Sequence, residues 1–181
     1  MNKALLISET TLKKYTLIND NVDGKYISTA IQAAQDIDLT DLIGPALVAK
    51  LEQLVFDGTI KDDTNANYKT LLDTYITPYM SWQVMSAIQV ALNYKMTNSG
   101  VIQNDDTNRS HLDYRSNQAL MDQYERYSNS YATKLKAYLD HNSNLFPEYN
   151  KCINGITNED NPTYGIYLGD VFTCKKNYVG K

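Results

Sequence analysis

Apolar residues recur along most of this chain at helical spacing, and turn-forming residues cut the pattern into segments. Ser8, followed by Glu9, Thr10 and Thr11, reads as a helix start. Leu12 and Tyr15 give a short apolar edge before residues 19–24 break it. Ile27, Ala30, Ile31 and Ala34 then fall on one helical face, which predicts a second helix over 25–39. Gly44 and Pro45 punctuate the chain, and Pro is favoured at a first helical position because its missing N–H would have had no partner there. A third helix is predicted over 45–57, with Leu47, Leu51, Leu54 and Val55 inward and Gly58 as its C-terminal stop.

After a polar stretch over 61–67, helical spacing returns with Tyr68, Leu71, Leu72, Tyr75, Ile76 and Tyr79. It continues past Pro78, with Trp82, Met85, Ile88 and Leu92 on one face and Val84, Ala87 and Ala91 on another. This segment is therefore expected to be the central, most buried helix. Pro78 must kink or divide it, since the ring removes the hydrogen bond to residue 74 and crowds that carbonyl. A loop is predicted over 97–110, then a long last helix over 112–140 whose stripe is Leu120, Tyr124, Tyr127, Tyr131, Leu135 and Tyr138. Tyrosine hydroxyls need partners, so such a stripe favours a half-wet groove or a subunit contact over a dry interior. From Asn142 the period disappears, and Pro147, Gly155, Pro162, Gly165 and Gly169 break up any helix. The expectation is an all-α fold: a helical bundle of four to six helices over 1–141, ending in its long helix, and an extended C-terminal arm over 142–181. Residues 163–174 of the arm hold strand-like material for at most a hairpin.

Composition narrows the classes. The 181 residues hold 17 Lys and Arg against 21 Asp and Glu, a net charge of −4, and the excess acid lies in the first third, where residues 1–65 carry six cations and ten anions. With three arginines the chain is a poor candidate for a dedicated nucleic-acid binder, whose affinity needs clustered cations against phosphate. The apolar run at residues 4–7 is far short of a signal-peptide core, and residues 84–92 are half the length of a membrane span, so neither secretion nor a membrane is expected. Cys152 and Cys174 are expected to be free thiols.

Candidate chemistry is sparse. Asn19, Asn21, Asp23 and Gly24 match the first half of a calcium loop, but position 12 of that loop is Ala30 rather than a bidentate glutamate, so a turn before a helix is the better reading. His111 and His141 have no second ligand at metal spacing, and His141 near a helix C-terminus is explained by the dipole. No nucleophile elbow, Walker glycine loop or dinucleotide fingerprint occurs. The acidic pairs Asp62 with Asp63 and Asp105 with Asp106 sit in predicted loops with nothing to tune a pKa. The tyrosine stripe lacks the interleaved basic groove of a single-strand platform, having Arg126, Lys134 and Lys136 nearby. Neither catalysis, a cofactor nor a metal is expected.

The order of these features resembles the head-to-tail connector, or portal adaptor, proteins of tailed bacteriophages, in particular those of Bacteroides and crAss-like phages. The resemblance is carried by Leu12, Lys13, Lys14 and Tyr15; by Ile31, Gln32, Ala33, Ala34, Gln35, Asp36 and Ile37 leading to Leu42, Ile43, Gly44 and Pro45; and by Tyr75, Ile76, Thr77 and Pro78. It continues through residues 96–100, the close of the tyrosine helix at Tyr138 and Leu139, and Asn144 with Phe146, Pro147, Glu148 and Tyr149, and so covers roughly residues 5–150.

The resemblance implies a structural virion protein without enzymatic activity, found at the head-to-tail interface and in the host cytoplasm during assembly. It would form a ring, usually of twelve copies, that binds the portal, extends the DNA channel without gripping DNA specifically, and docks the tail. On that reading Asp36, Asp38, Asp41, Asp57, Asp62 and Asp63 would face the channel. Phe146, Tyr149, Tyr164, Ile166, Tyr167, Leu168 and Phe172 of the arm would bind a partner, either a neighbouring copy, the portal or the next ring. The rival classes are a small intracellular enzyme or regulator with a site invisible as a motif, and a DNA-binding assembly factor.

Overall fold

The computed structural model describes residues 4–97, 100–103 and 114–149. They form an all-α bundle with one short hairpin. Helix α1, Glu9–Tyr15, starts where Ser8 Oγ accepts the Thr11 N–H at 3.1 Å, and Glu9 pairs with Lys13 at 2.8 Å one turn on. Leu12 is fully buried, whereas Tyr15, the other half of the expected apolar edge, is 47% exposed. Asn19 Oδ1 accepts the Asn21 N–H and Asp23 Oδ1 accepts the Lys25 N–H, so residues 19–24 are an Asx turn leading into an N-cap.

The helical run that opens with α2, Gly24–Ala33, extends past the expected end at Leu39. It continues as a π-helical segment, Ala34–Leu39, and a last turn, α3, Thr40–Ile43. Gly44, at φ 89°, turns the chain into α4, Pro45–Phe56, and Gly58, at φ 72°, ends it in the left-handed region that glycine tolerates best. The polar stretch beyond is more structured than expected, with 3₁₀ turns at Thr59–Lys61 and Asp63–Asn65 before α5, Ala66–Thr70.

A second π-helical segment, Leu71–Ile76, joins α5 to α6, Thr77–Asn93. This is how the helix accommodates Pro78: it is not divided, but its turn is widened ahead of the ring. The Thr77 N–H bonds the Leu72 carbonyl, and so does the Thr77 hydroxyl, at 2.8 Å. Thr40 closes the first π segment likewise, its hydroxyl donating to the Gln35 carbonyl at 3.1 Å. Helix α6 is the centre of the bundle, with Met80, Ser81, Val84 and Ile88 buried, and it packs on α2, the first π segment and α7, Tyr114–His141. Between α6 and α7, part of the expected loop is an antiparallel hairpin of β1, Tyr94–Thr97, and β2, Gly100–Gln103, with Tyr94 opposite Gln103.

The boundary at residue 141 needs correction. Residues 142–149 fold back on the bundle through the 3₁₀ turn Ser143–Leu145, which lays Phe146, fully buried, against Tyr68 at 5.4 Å between ring centroids and Tyr138 at 6.0 Å. Eight residues without helical periodicity can still dock when one large ring fills a gap between helices. Tyr164, Ile166, Tyr167, Leu168 and Phe172, the hairpin expected over 163–174, Cys152, Cys174 and His111 lie outside the described residues.

Candidate functional site

The expected partner-binding residues divide at Asn150. Phe146 and Tyr149 are corrected from partner anchors to core: Phe146 is fully buried and Tyr149 is 9% exposed, both within their own bundle. Tyr68 donates its hydroxyl to Glu148 Oε2 at 2.8 Å and so clasps the same segment; burial first, then Glu148, pushes its phenol up to about 12.

The six aspartates expected on a channel come from two stretches of the chain and differ in exposure. Asp36, Asp38 and Asp41 belong to the π segment and α3, and Asp57, Asp62 and Asp63 follow the far end of α4. Gln35, next to Asp36, donates to Glu52 of α4 at 2.7 Å, so the first π segment lies beside the second half of α4 and Asp36 is not a helix length away from Asp57. Asp41, Asp57, Asp62 and Asp63 are exposed, whereas Asp36 and Asp38 are half-buried.

Asp38 sits at a polar junction. The Gln83 amide of α6 faces its carboxylate, and Ser128 of α7, itself 1% exposed, donates to Gln83 Oε1 at 2.8 Å. Loss of solvent raises the Asp38 carboxyl, the Gln83 hydrogen bond lowers it, and Asp41 raises it further; the net direction is up. Burial also raises the Tyr79 phenol, helped by Asp38 and Asp41. A raised carboxyl keeps its proton in the folded state after the unfolded chain has lost its own. Asp38 therefore makes stability fall as pH climbs from the ordinary value of 3.8 through the raised one. Asp38→Asn is expected to remove that slope and to melt no lower than wild type at neutral pH. Thermal melts across the acidic range check this, and an unchanged slope or a less stable variant contradicts it.

The α6–α7 seam is aromatic. Tyr75 stacks on Tyr138 at 4.2 Å, and Trp82 meets Tyr127 at 4.9 Å and Tyr124 at 5.9 Å. Of the expected stripe, Tyr124 and Leu135 are buried, Leu120, Tyr131 and Tyr138 are half-buried and Tyr127 is 37% exposed, while Ser128 and Leu139 beside it are buried as well. Lys134 lies over the Tyr131 ring at 4.9 Å.

Gln35, Gln83 and Ser128, which link elements of the bundle through hydrogen bonds, were not singled out by sequence reasoning. Their signal is a polar side chain standing on an apolar stripe, as Gln35 does in the series Ile27, Ile31, Gln35, Leu39, all buried. Gln35 accepts the Leu6 N–H at 2.9 Å and donates to the Ala4 carbonyl at 3.0 Å and to Glu52 at 2.7 Å, which ties the N-terminal segment to α4. Among the described residues no His, Cys, Asp and Glu group is placed to hold a metal ion, and no helix is long and apolar enough to cross a membrane.

No curated protein and no solved structure matches this sequence. A protein-family match spans residues 39–159, from the end of the first π segment through the clasp and beyond it, which is more than half of the chain. The chain thus belongs to DUF6712, a family of unknown function.

Proposed function

We propose that this chain is a structural head-to-tail connector of a tailed phage, assembling into a ring that binds the portal, extends the DNA channel and docks the tail. One observation carries the reading. Parts of four of the strings on which the resemblance rests fall on turns and packing points of this fold: Ala34 to Ile37 on the first π segment, Gly44 and Pro45 at the turn into α4, Thr77 and Pro78 at the exit of the second π segment, and Phe146 to Tyr149 in the clasp. Matches scattered over surface loops would carry no such weight.

Within a ring, Asp57, Asp62 and Asp63 are the better channel-facing candidates, being exposed and grouped at one end of α4. Carboxylates near the path let DNA slide, whereas a cationic lining would hold it by counterion release. The arm beyond Asn150, with Tyr164, Ile166, Tyr167, Leu168 and Phe172, supplies the contact to a neighbouring copy, the portal or the next ring. The chain acts in the virion neck, needs no cofactor and performs no catalysis.

Native mass spectrometry and electron microscopy of the full chain, alone and with the portal ring of the same virion, test the proposal. A closed ring with a central opening, or one seated on the portal, is the expected result. A monomer that binds no portal overturns it, and salt-sensitive binding to duplex DNA would favour a DNA-binding assembly factor instead.

A further inference from the structure

Consecutive residues on a helix point about 100° apart. On α6, Trp82 reaches across to Tyr124 and Tyr127 of α7, and its neighbour Gln83 reaches across to Ser128, the neighbour of Tyr127. Two adjacent pairs that both bridge the same two helices must lie on opposite sides of the line of contact. The α6–α7 layer therefore has two distinct flanks. The Gln83 flank is covered by the first π segment, because Gln83 faces Asp38 there. The Trp82 flank is left half-open, with Trp82 half-buried and Tyr127 at 37% exposure.

The two flanks differ in charge as well as position. Residues 124–138 carry Arg126, Lys134 and Lys136 against Glu125 alone, and Lys134 stands seven residues from Tyr127, on the same helical face. Residues 34–43 carry three aspartates and no cation. Beside those aspartates Ile37 is 61% exposed, a large apolar side chain on the outer surface of the π segment, and Asp41 follows it by about one turn and is exposed too. One flank thus offers aromatic rings rimmed by cations, and the other an aliphatic anchor rimmed by carboxylates. Aromatic and Arg residues are the side chains that most often dominate interfaces, and opposite charges set register and exclude wrong pairings. Two different, complementary patches on opposite sides of one molecule are what a heterologous, ring-closing contact requires, whereas a two-fold contact would bring each patch against itself.

We propose that successive copies of this chain join head to tail, the Trp82 and Tyr127 flank of one copy, with Arg126 and Lys134, seating on the Ile37 and Asp41 flank of the next. This deepens the connector reading and rests on it for the existence of a ring. It also assigns Asp41 to the seam between copies and leaves the channel to the aspartates beyond α4.

The test uses exposed residues, so that folding is not at stake. Lys134→Glu and Asp41→Lys are each expected to reduce the wild-type oligomer to monomer in sedimentation velocity at moderate salt, with unchanged helicity. Mixed in equal amounts, they are expected to reassemble. Each interface in an alternating ring then joins either two wild-type flanks or two reversed ones. Ile37→Lys is expected to abolish assembly alone, and raising salt to weaken the wild-type ring. A wild-type oligomer that survives the single reversals and Ile37→Lys overturns this interface and leaves the ring reading standing. Single variants that fail and do not rescue one another overturn the pairing of the two flanks. A wild-type chain that stays monomeric with and without the portal overturns both.

Discussion

Phe146→Ala is expected to cost about 3–5 kcal/mol, the range for truncating a fully buried aromatic ring, and to lower Tm by about 10 °C or more. The ring fills the space between Tyr68 and Tyr138 with no exposed surface, and no helix backbone holds it in place. Its loss leaves a cavity and also loosens the residues that deliver it. Glu148 then still accepts from the Tyr68 hydroxyl at 2.8 Å, and Tyr149 keeps a longer contact to Asp140 at 3.4 Å. Ending the chain after His141 is expected to cost at least as much. Ending it after Asn150 keeps the clasp, and there helicity and melting are expected to stay near those of the full chain while ring formation or portal binding fails. Thermal melts of the three variants decide the matter. A Phe146→Ala chain that melts with the wild type removes the clasp from the core.

Gln35→Ala is expected to destabilise the fold by about 2–3 kcal/mol, because it strands polar groups that water does not reach. The Leu6 N–H loses its acceptor in a buried place, and the Ala4 carbonyl and Glu52 lose their donor. Gln35→Glu separates this account from simple loss of packing, since the shape is kept. At neutral pH it puts a carboxylate against Glu52 and the Ala4 carbonyl where an amide had donated. Its deficit is therefore expected to exceed that of Gln35→Ala at neutral pH and to shrink as pH falls through the carboxylate range, when a protonated oxygen can donate again. Denaturant melts at two pH values read this directly. A deficit that does not depend on pH contradicts the hydrogen-bonded role.

The helices were legible because their apolar spacing is long and regular and because Ser8, Pro45 and Gly58 mark ends by mechanisms local to the chain. The central place of α6 followed from apolar residues on much of its circumference. Three features were not legible, each for a reason in the physics. The docking of residues 142–149 depends on one ring meeting a gap built from Tyr68, some 80 residues earlier, and no local pattern encodes a gap. The hairpin of β1 and β2 is only four residues per strand, too short for alternation to stand out from loop composition. The partial burial of Asp36 and Asp38 was hidden because composition counts charges without placing them. At the candidate site, the tyrosine stripe was visible in the periodicity. Its polar partners Gln83 and Ser128 were not, since a single polar residue on an apolar stripe looks like noise until its counterpart on the facing helix is known.

The two π segments bear on how chains of this family line up with one another. A π turn is an α turn holding one residue more than it needs, and Thr40 and Thr77 hold that surplus in place through their hydroxyls. Removing one residue within 34–39 or 71–76 would return a plain α-helix, with the same faces presented before and after the deleted position. Removing one within α6 would instead turn every later side chain by about 100° and swing Trp82 and Gln83 off their partners. Single-residue gaps among relatives should therefore collect in those two windows and spare α6, and a relative that carries such a gap has no further need of the threonine that follows it.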